Sequence, residues 1–157
     1  MKINDTYLKC LSCSLHFYSN PKPCTALILT NENNEYLLVK RAVDPRKGFW
    51  DLPGGFIEDN ENFETGVRRE AKEEIGIDIG ELTYFGSYYD NYLYQDVSYT
   101  TLAVSFTARV PKGAVLKPDD DVESYQYFKL EDIPFKDLAF DSMRTTFKHL
   151  VEQQKAA

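Results

Sequence analysis

The sequence lacks any apolar stretch approaching the roughly 20 residues that a membrane-spanning helix needs, so no membrane association is expected. Its opening residues, Met1-Lys2-Ile3-Asn4-Asp5, contain neither an apolar run nor a small-residue cleavage site, and a cytoplasmic protein is expected. Cysteine is scarce. Three residues, an odd number, do not make a disulfide framework, and a reducing compartment keeps them as thiols. Positive charge is short as well: 18 lysines and arginines stand against 25 acidic residues, for a formal charge of -7. Polynucleotide binding requires a field of basic side chains, so no nucleic-acid polymer is expected as a partner. Small phosphorylated molecules remain open, because bound cations can reverse the local sign of an acidic surface. Repeats, low-complexity segments and a second domain are absent too.

What is present is an ordinary globular composition, 43% hydrophobic and 27% charged over 157 residues, enough for one core. Residues 1–20 read as an irregular arm and 21–157 as the domain proper. Cys24-Thr25-Ala26-Leu27-Ile28-Leu29 is a short apolar run bounded by turn signals, hence a buried strand, and 35–41 returns from the Asn31-Glu32-Asn33-Asn34 turn as its hairpin partner. A sharp bend is expected at Pro53-Gly54-Gly55. The pattern then gives a helix over 61–75, with Asp59 and Asn60 as cap candidates and Gly76 as its stop. Strands follow over 82–89, 98–110 and 124–130, then a terminal helix over 141–154. Strands interrupted by one central and one terminal helix predict an α+β fold, a mixed β-sheet flanked by helices in an α/β/α sandwich. Cys10, Cys13, His16 and Cys24 are zinc-ligand types. The interval from His16 to Cys24 is unusual and Cys24 opens an apolar strand, so zinc at Cys10 and Cys13 is not expected and plain thiols are preferred.

The central helix carries its charges in an odd place. At about 100° per residue, Phe63, Val67 and Ala71 define an apolar stripe, and Glu64, Thr65, Arg68 and Lys72 fall opposite it. Glu70, Glu73 and Glu74 occupy an arc that abuts the stripe and overlaps it at Glu74. Like charges at these spacings repel, and the last turns of a helix disfavour negative charge. Gly66 adds a propensity cost of about 1 kcal/mol relative to alanine. Several local rules broken together mark a functional site, and a hard divalent cation such as Mg2+ or Mn2+ would reconcile the carboxylates. A solvated acidic face is the bland alternative, weakened by the glycine bend just upstream.

With those residues in view, segment 55–77 resembles the Nudix box: Gly55, Glu61, Arg69-Glu70-Ala71-Lys72-Glu73-Glu74, Gly76 and Ile77 match its fixed positions, with Ala71 in an aliphatic slot. The approach Gly48-Phe49-Trp50-Asp51-Leu52-Pro53-Gly54-Gly55 is similar to that family's as well, and the likeness runs less tightly over 20–150. The resemblance to the MutT-like Nudix hydrolases implies a Nudix fold and metal-dependent hydrolysis of a small nucleoside diphosphate derivative, by attack of activated water on phosphorus. It implies Glu70, Glu73 and Glu74 as metal ligands, with the Gly55 carbonyl as a further one. Arg69 would hold a catalytic carboxylate, and Glu73 would take part in the chemistry. Glu61 would support the loop, and Arg41 would contact substrate phosphate. Family members take their general base from the helix or from a loop carboxylate; within Asp119-Asp120-Asp121-Val122-Glu123 the favoured candidate is Glu123. Lys9-Cys10-Leu11-Ser12-Cys13 resembles half of the zinc ribbon that precedes NADH pyrophosphatases, which points toward the ADP-ribose and NADH pyrophosphatase-like branch. The proline- and tryptophan-rich array that marks NADH pyrophosphatases is missing, so an ADP-ribose-like or nucleotide-sugar substrate is expected. Tyrosines 84, 88, 89, 92, 94 and 99 could stack on a base, though most are expected to pack. The family includes homodimers, and members with degenerate boxes act as non-catalytic nucleotide sensors. The intact box here favours an enzyme.

Overall fold

The computed structural model describes residues 7–156; Met1-Lys2-Ile3-Asn4-Asp5, read above for the lack of a leader, lies outside them with the start of the arm. The rest of the arm is not irregular. Strands β1 (Tyr7–Lys9) and β2 (His16–Tyr18) pair antiparallel. Their turn is closed by Cys10 N–H donating to the Leu15 carbonyl at 2.8 Å, and Ser14 N–H to that of Cys10 at 3.0 Å. The Tyr7 ring packs edge-on against His16, an aromatic contact that alternation across so short a hairpin does not advertise.

The main body follows as β3 (Lys22–Thr30), β4 (Tyr36–Arg41), β5 (Trp50–Asp51), α1 (Phe63–Ile75), β6 (Thr83–Tyr94), β7 (Val97–Arg109), β8 (Val122–Phe128) and α2 (Asp141–Ala156). These strands form a mixed sheet in the order β5-β4-β3-β7-β6, with β8 on the other edge of β4, and β3 runs parallel to β7. Helices cover both faces, so the inner strands are buried on both sides and read as continuous apolar runs. Alternation sorts them: Leu27, Leu29, Leu37 and Val39 pack under α1 with Val67, Ala71 and Ile75. Ile28, Tyr36 and Leu38 turn the other way, toward Met143, Phe147 and Leu150 of α2. The expected α/β/α sandwich is the observed one. No helix among the described residues is long and apolar enough to cross a membrane.

The expected hairpin of β3 and β4 splays open after a single pair, Thr30 with Tyr36. The cause is the glycine bend. Residues 53–57 lie along the edge that β3 would have offered β4: Leu27 N–H donates to the Pro53 carbonyl and Thr25 N–H to the Gly55 carbonyl, both at 2.8 Å, and Ile57 N–H to the Pro23 carbonyl at 3.1 Å. β4 pairs instead with β5 and β8. The gap between the two halves of the sheet opens beside α1.

Two further boundaries differ from expectation. The helix starts at Phe63, capped by Asn62, whose side-chain oxygen accepts from Thr65 N–H at 2.8 Å; Asp59 and Asn60 belong to the preceding turn. β6 runs on through Asp90-Asn91 to Tyr94, because Gln95 and Asp96, both with positive φ, form a two-residue turn that lets β7 pair with it throughout. Gly54 has φ +145°, and a Cβ there would lie 2.3 Å from the Thr25 carbonyl oxygen. Gly54→Ala is therefore expected to destabilise the fold by about 2 kcal/mol or more. Urea unfolding measures this; an unchanged midpoint would contradict the close approach of bend and strand.

Candidate active site

The last turns of α1 face the gap that the bend opens. Their termination is local: Gly76 adopts φ 73° and its N–H returns to the Lys72 carbonyl at 3.1 Å, so Glu70, Glu73 and Glu74 sit on the final turns by necessity. Glu74 is turned inward and is only 8% exposed. Its Oε2 accepts from Gly54 N–H at 2.9 Å, and no lysine or arginine forms an ion pair with it among the described residues. Burial pushes its carboxyl well above the ordinary range, and the nearby Asp51 and Glu70 push in the same direction. Glu70 is half-buried and raised too, by burial first, although Arg69 opposes the shift. Its carboxylate fills the space in front of Gly55, where a Cβ would stand 2.3 Å from Oε1. Gly66 is explained in a similar way: a Cβ there would lie 2.6 Å from Cδ1 of Ile57.

Arg69 is the hub of the outer part of the site. Its Nη1 donates to Glu70 and to Glu73, each at 2.8 Å, and its Nε to Glu61 at 2.9 Å. Its Nη2 reaches the Phe56 carbonyl at 3.0 Å, tying helix to bend. These partners, Glu61 foremost, hold the guanidinium firmly in its charged form. Glu73 is the most exposed of the three helix carboxylates. With Arg69 between Glu70 and Glu73, no three acidic, histidine or cysteine side chains among the described residues stand ready-gathered around one point.

A cleft of about 430 Å³ runs over these groups. Across it, Arg41 closes β4 and pairs with Asp51 of β5 at 2.8 Å, both about 15% exposed. The ring of Phe140 lies 5.2 Å from the Arg41 guanidinium carbon, and Tyr92 stacks on Phe140 at 5.6 Å. Tyr92 is thus the one tyrosine of the six read above that lines this cleft, whereas Tyr84 and Tyr89 are largely exposed elsewhere. The acidic loop contributes Asp120 and Asp121 to the cleft wall. Glu123, the favoured loop candidate, is not brought there. It is the extra residue of a bulge, between Val122 opposite Arg41 and Ser124 opposite Lys40, and its carboxylate faces Lys40 at 3.9 Å.

Of the four zinc-ligand types, Cys24 and Cys10 have unlike surroundings. Cys24 lines the cleft, its thiol pushed up to about 12 by burial. Cys10 sits in the hairpin turn, where the Ser12 hydroxyl at 3.1 Å and neighbouring N–H groups draw its thiol down to about 6. Asp51, Phe140 and Asp90 are among the cleft residues that sequence reasoning missed. Only Asp51 carried a signal, as a charge set between Trp50 and Leu52 in an apolar approach to the bend. Phe140 and Asp90 reach the cleft through tertiary packing alone.

The fold and the cleft together define a carboxylate-bearing helix facing a glycine bend within an α/β/α sandwich. The NUDIX domain profile matches residues 20–150, and the chain belongs to that family. It is 28% identical over 151 residues to the NAD-capped RNA hydrolase NudC of Pseudomonas aeruginosa, covering 95% of this chain and 49% of the relative. Against the ADP-ribose pyrophosphatase of Methanocaldococcus jannaschii it is 35% identical over 113 residues, 72% of this chain and 64% of that one. The chain thus spans about half the length of the NudC relatives it matches. Among solved structures, a NUDIX hydrolase from Nitrosomonas europaea superposes with TM-score 0.68 at 28% identity, over 95% of this chain and 80% of that one. The NUDIX domain of Shewanella oneidensis NrtR, complexed with ADP ribose, has the same fold, with TM-score 0.71 at 22% identity over 87% and 90% of the two chains.

The raised carboxyls give a signed pH effect. A carboxyl whose folded pKa lies above its unfolded value supports stability below about pH 4.5, and that support is lost as pH rises through the folded pKa. In chelator-treated protein the melting temperature is therefore expected to fall as pH rises from 4.5 toward 8. Glu74→Gln is expected to flatten that fall, melting near wild type at pH 4 and higher at pH 8. A Glu74→Gln protein that melts below wild type at pH 8 would contradict the buried, unpaired carboxylate.

Proposed function

We propose that this chain hydrolyses the diphosphate linkage of a nucleoside diphosphate derivative, ADP-ribose-like or a nucleotide sugar, by attack of water on phosphorus. The observation that carries the reading is Glu74: a buried carboxylate without a cationic partner, facing a glycine bend beside Glu70 in an open cleft. Such a group asks for a cation. The donor set fits a hard divalent ion, and Mg2+ or Mn2+ would be held by Glu70, Glu73 and Glu74. The Gly55 carbonyl, which accepts from Thr25 N–H at 2.8 Å and more weakly from the Thr25 hydroxyl at 3.5 Å, would be a further ligand in place of that hydroxyl. Bound there, the ion would lower the pKa of a water and offset charge on the phosphoryl oxygens.

The chain's own residues do the rest. Arg69 holds Glu70 and Glu73 at a fixed spacing and links them to the bend through the Phe56 carbonyl. Arg41 presents a guanidinium to phosphate from the opposite wall. The proton from the attacking water goes to a carboxylate. Glu73 is the exposed candidate on the helix, and on the loop the position of Asp120 and Asp121 in the cleft favours them over Glu123. The named relatives act on ADP-ribose and on NAD-capped RNA, both of which present a diphosphate joining adenosine to a second ribosyl group. An acidic surface disfavours the body of a polynucleotide more than its capped end, so the expected exclusion of polymers narrows to RNA without such a cap.

Glu73→Gln and Glu74→Gln are each expected to lower turnover of ADP-ribose at least about a hundredfold while leaving the protein folded. Steady-state release of AMP with Mg2+ or Mn2+ measures this, across a panel that includes NAD+, nucleotide sugars and a short NAD-capped RNA. Wild-type rates in either variant at limiting metal would sink the assignment. Binding of ADP-ribose without turnover of any panel member would favour a nucleotide sensor instead.

A further inference from the structure

Arg41 is restrained more thoroughly than a phosphate-binding arginine at a cleft wall needs to be for stability alone. Its Nη1 donates to Asp51 Oδ2 and its Nε to the Pro45 carbonyl, both at 2.8 Å, while Phe140 covers its face. Asp51 is in turn fixed, its other oxygen accepting from Leu52 N–H at 2.9 Å. Its place follows from register: Val39 of β4 lies opposite Asp51 of β5, so Asp51 reaches along the strand to the arginine two residues on. A strand as short as β5 could be pinned as well or better by an apolar pair, since a buried ion pair barely offsets its desolvation. What the ion pair adds is direction.

The need for direction comes from the charges around it. Asp51, Glu70 and Glu74 line the same cleft as Arg41, and Asp51 is the carboxylate that pairs with it. Without Asp51, the guanidinium would lose its Nη1 anchor and keep the Pro45 carbonyl and the Phe140 face, free to turn about them.

We propose that Asp51 is a positioning residue: it anchors Arg41 against β5 and leaves its outer edge directed at the diphosphate. Asp51 acts through Arg41 and touches no reacting atom. The assignment rests on the reading of Arg41 as a phosphate contact given above.

A double-mutant cycle on the full chain tests it, with kcat and KM for ADP-ribose measured at saturating Mn2+ in wild type, Asp51→Asn, Arg41→Ala and the double variant. Asp51→Asn keeps the shape and removes the charge. It is expected to raise KM about tenfold with kcat within about threefold of wild type, and to change nothing further when Arg41 is already alanine. A tenfold effect of Asp51→Asn that persists in the Arg41→Ala background overturns the proposal, as does an unchanged KM in the single variant. Arg41→Ala with wild-type KM instead withdraws the Arg41 reading on which the proposal stands, without touching the carboxylates. Where Asp51→Asn melts below the assay temperature, Asp51→Glu replaces it. The longer carboxylate still pairs but displaces the guanidinium, so the same rise in KM, dependent on Arg41, is expected.

Discussion

The hydrogen bond from Gly54 N–H to the buried Glu74 carboxylate is the contact on which the cleft depends. It requires a backbone amide at the helix flank, which requires two glycines in the bend, which in turn requires the bend to lie against β3. Each step has a visible consequence. The Gly55 carbonyl is taken up by Thr25, the hairpin of β3 and β4 splays, and the sheet opens beside the end of the helix. The cleft is thus less a depression in a finished surface than the place where the sheet was prevented from closing.

That geometry concentrates negative charge where a protein interior tolerates it least. Glu70 and Glu74 on the helix, Asp51 on β5 and the loop aspartates Asp120 and Asp121 surround the cleft, against the guanidiniums of Arg41 and Arg69. The two arginines are used differently. Arg69 is a brace between neighbouring carboxylates, tying Glu61, Glu70 and Glu73 to the bend. Arg41 is enclosed, stacked on Phe140, and answers to a single carboxylate. Among the described residues Glu74 is hydrogen-bonded by one backbone amide, and one hydrogen bond does not compensate a buried charge.

The amino-acid sequence discloses the part of this that is local. Helix periodicity places Glu74 at the apolar edge, Gly76 ends the helix, and the apolar runs of β3 and β4 announce a sheet covered on both faces. What it conceals is set by pairing at a distance. Nothing in 24–41 says that residues 53–57 will take the edge of β3, so the expected hairpin is too regular. Asp90-Asn91 reads as a break because both are weak strand formers, yet pairing with Thr101 and Thr100 carries β6 through them. Glu123 is the favoured member of the acidic loop by sequence, but a bulge at the start of β8, which no sequence pattern announces, sets it beside Lys40 while Asp120 and Asp121 line the cleft. The arm was read as irregular because a three-residue strand pair held by ring contacts leaves almost no periodicity to see.

The most direct test of the central proposal, that Glu70 and Glu74 beside the bend hold a divalent cation, is a Mn2+ titration followed by electron paramagnetic resonance of the free ion. Wild-type protein is expected to deplete the free-ion signal at micromolar to millimolar Mn2+. Glu70→Gln and Glu74→Gln are each expected to leave it essentially undepleted over the same range. Equal depletion by all three proteins would place the ion elsewhere and contradict the account.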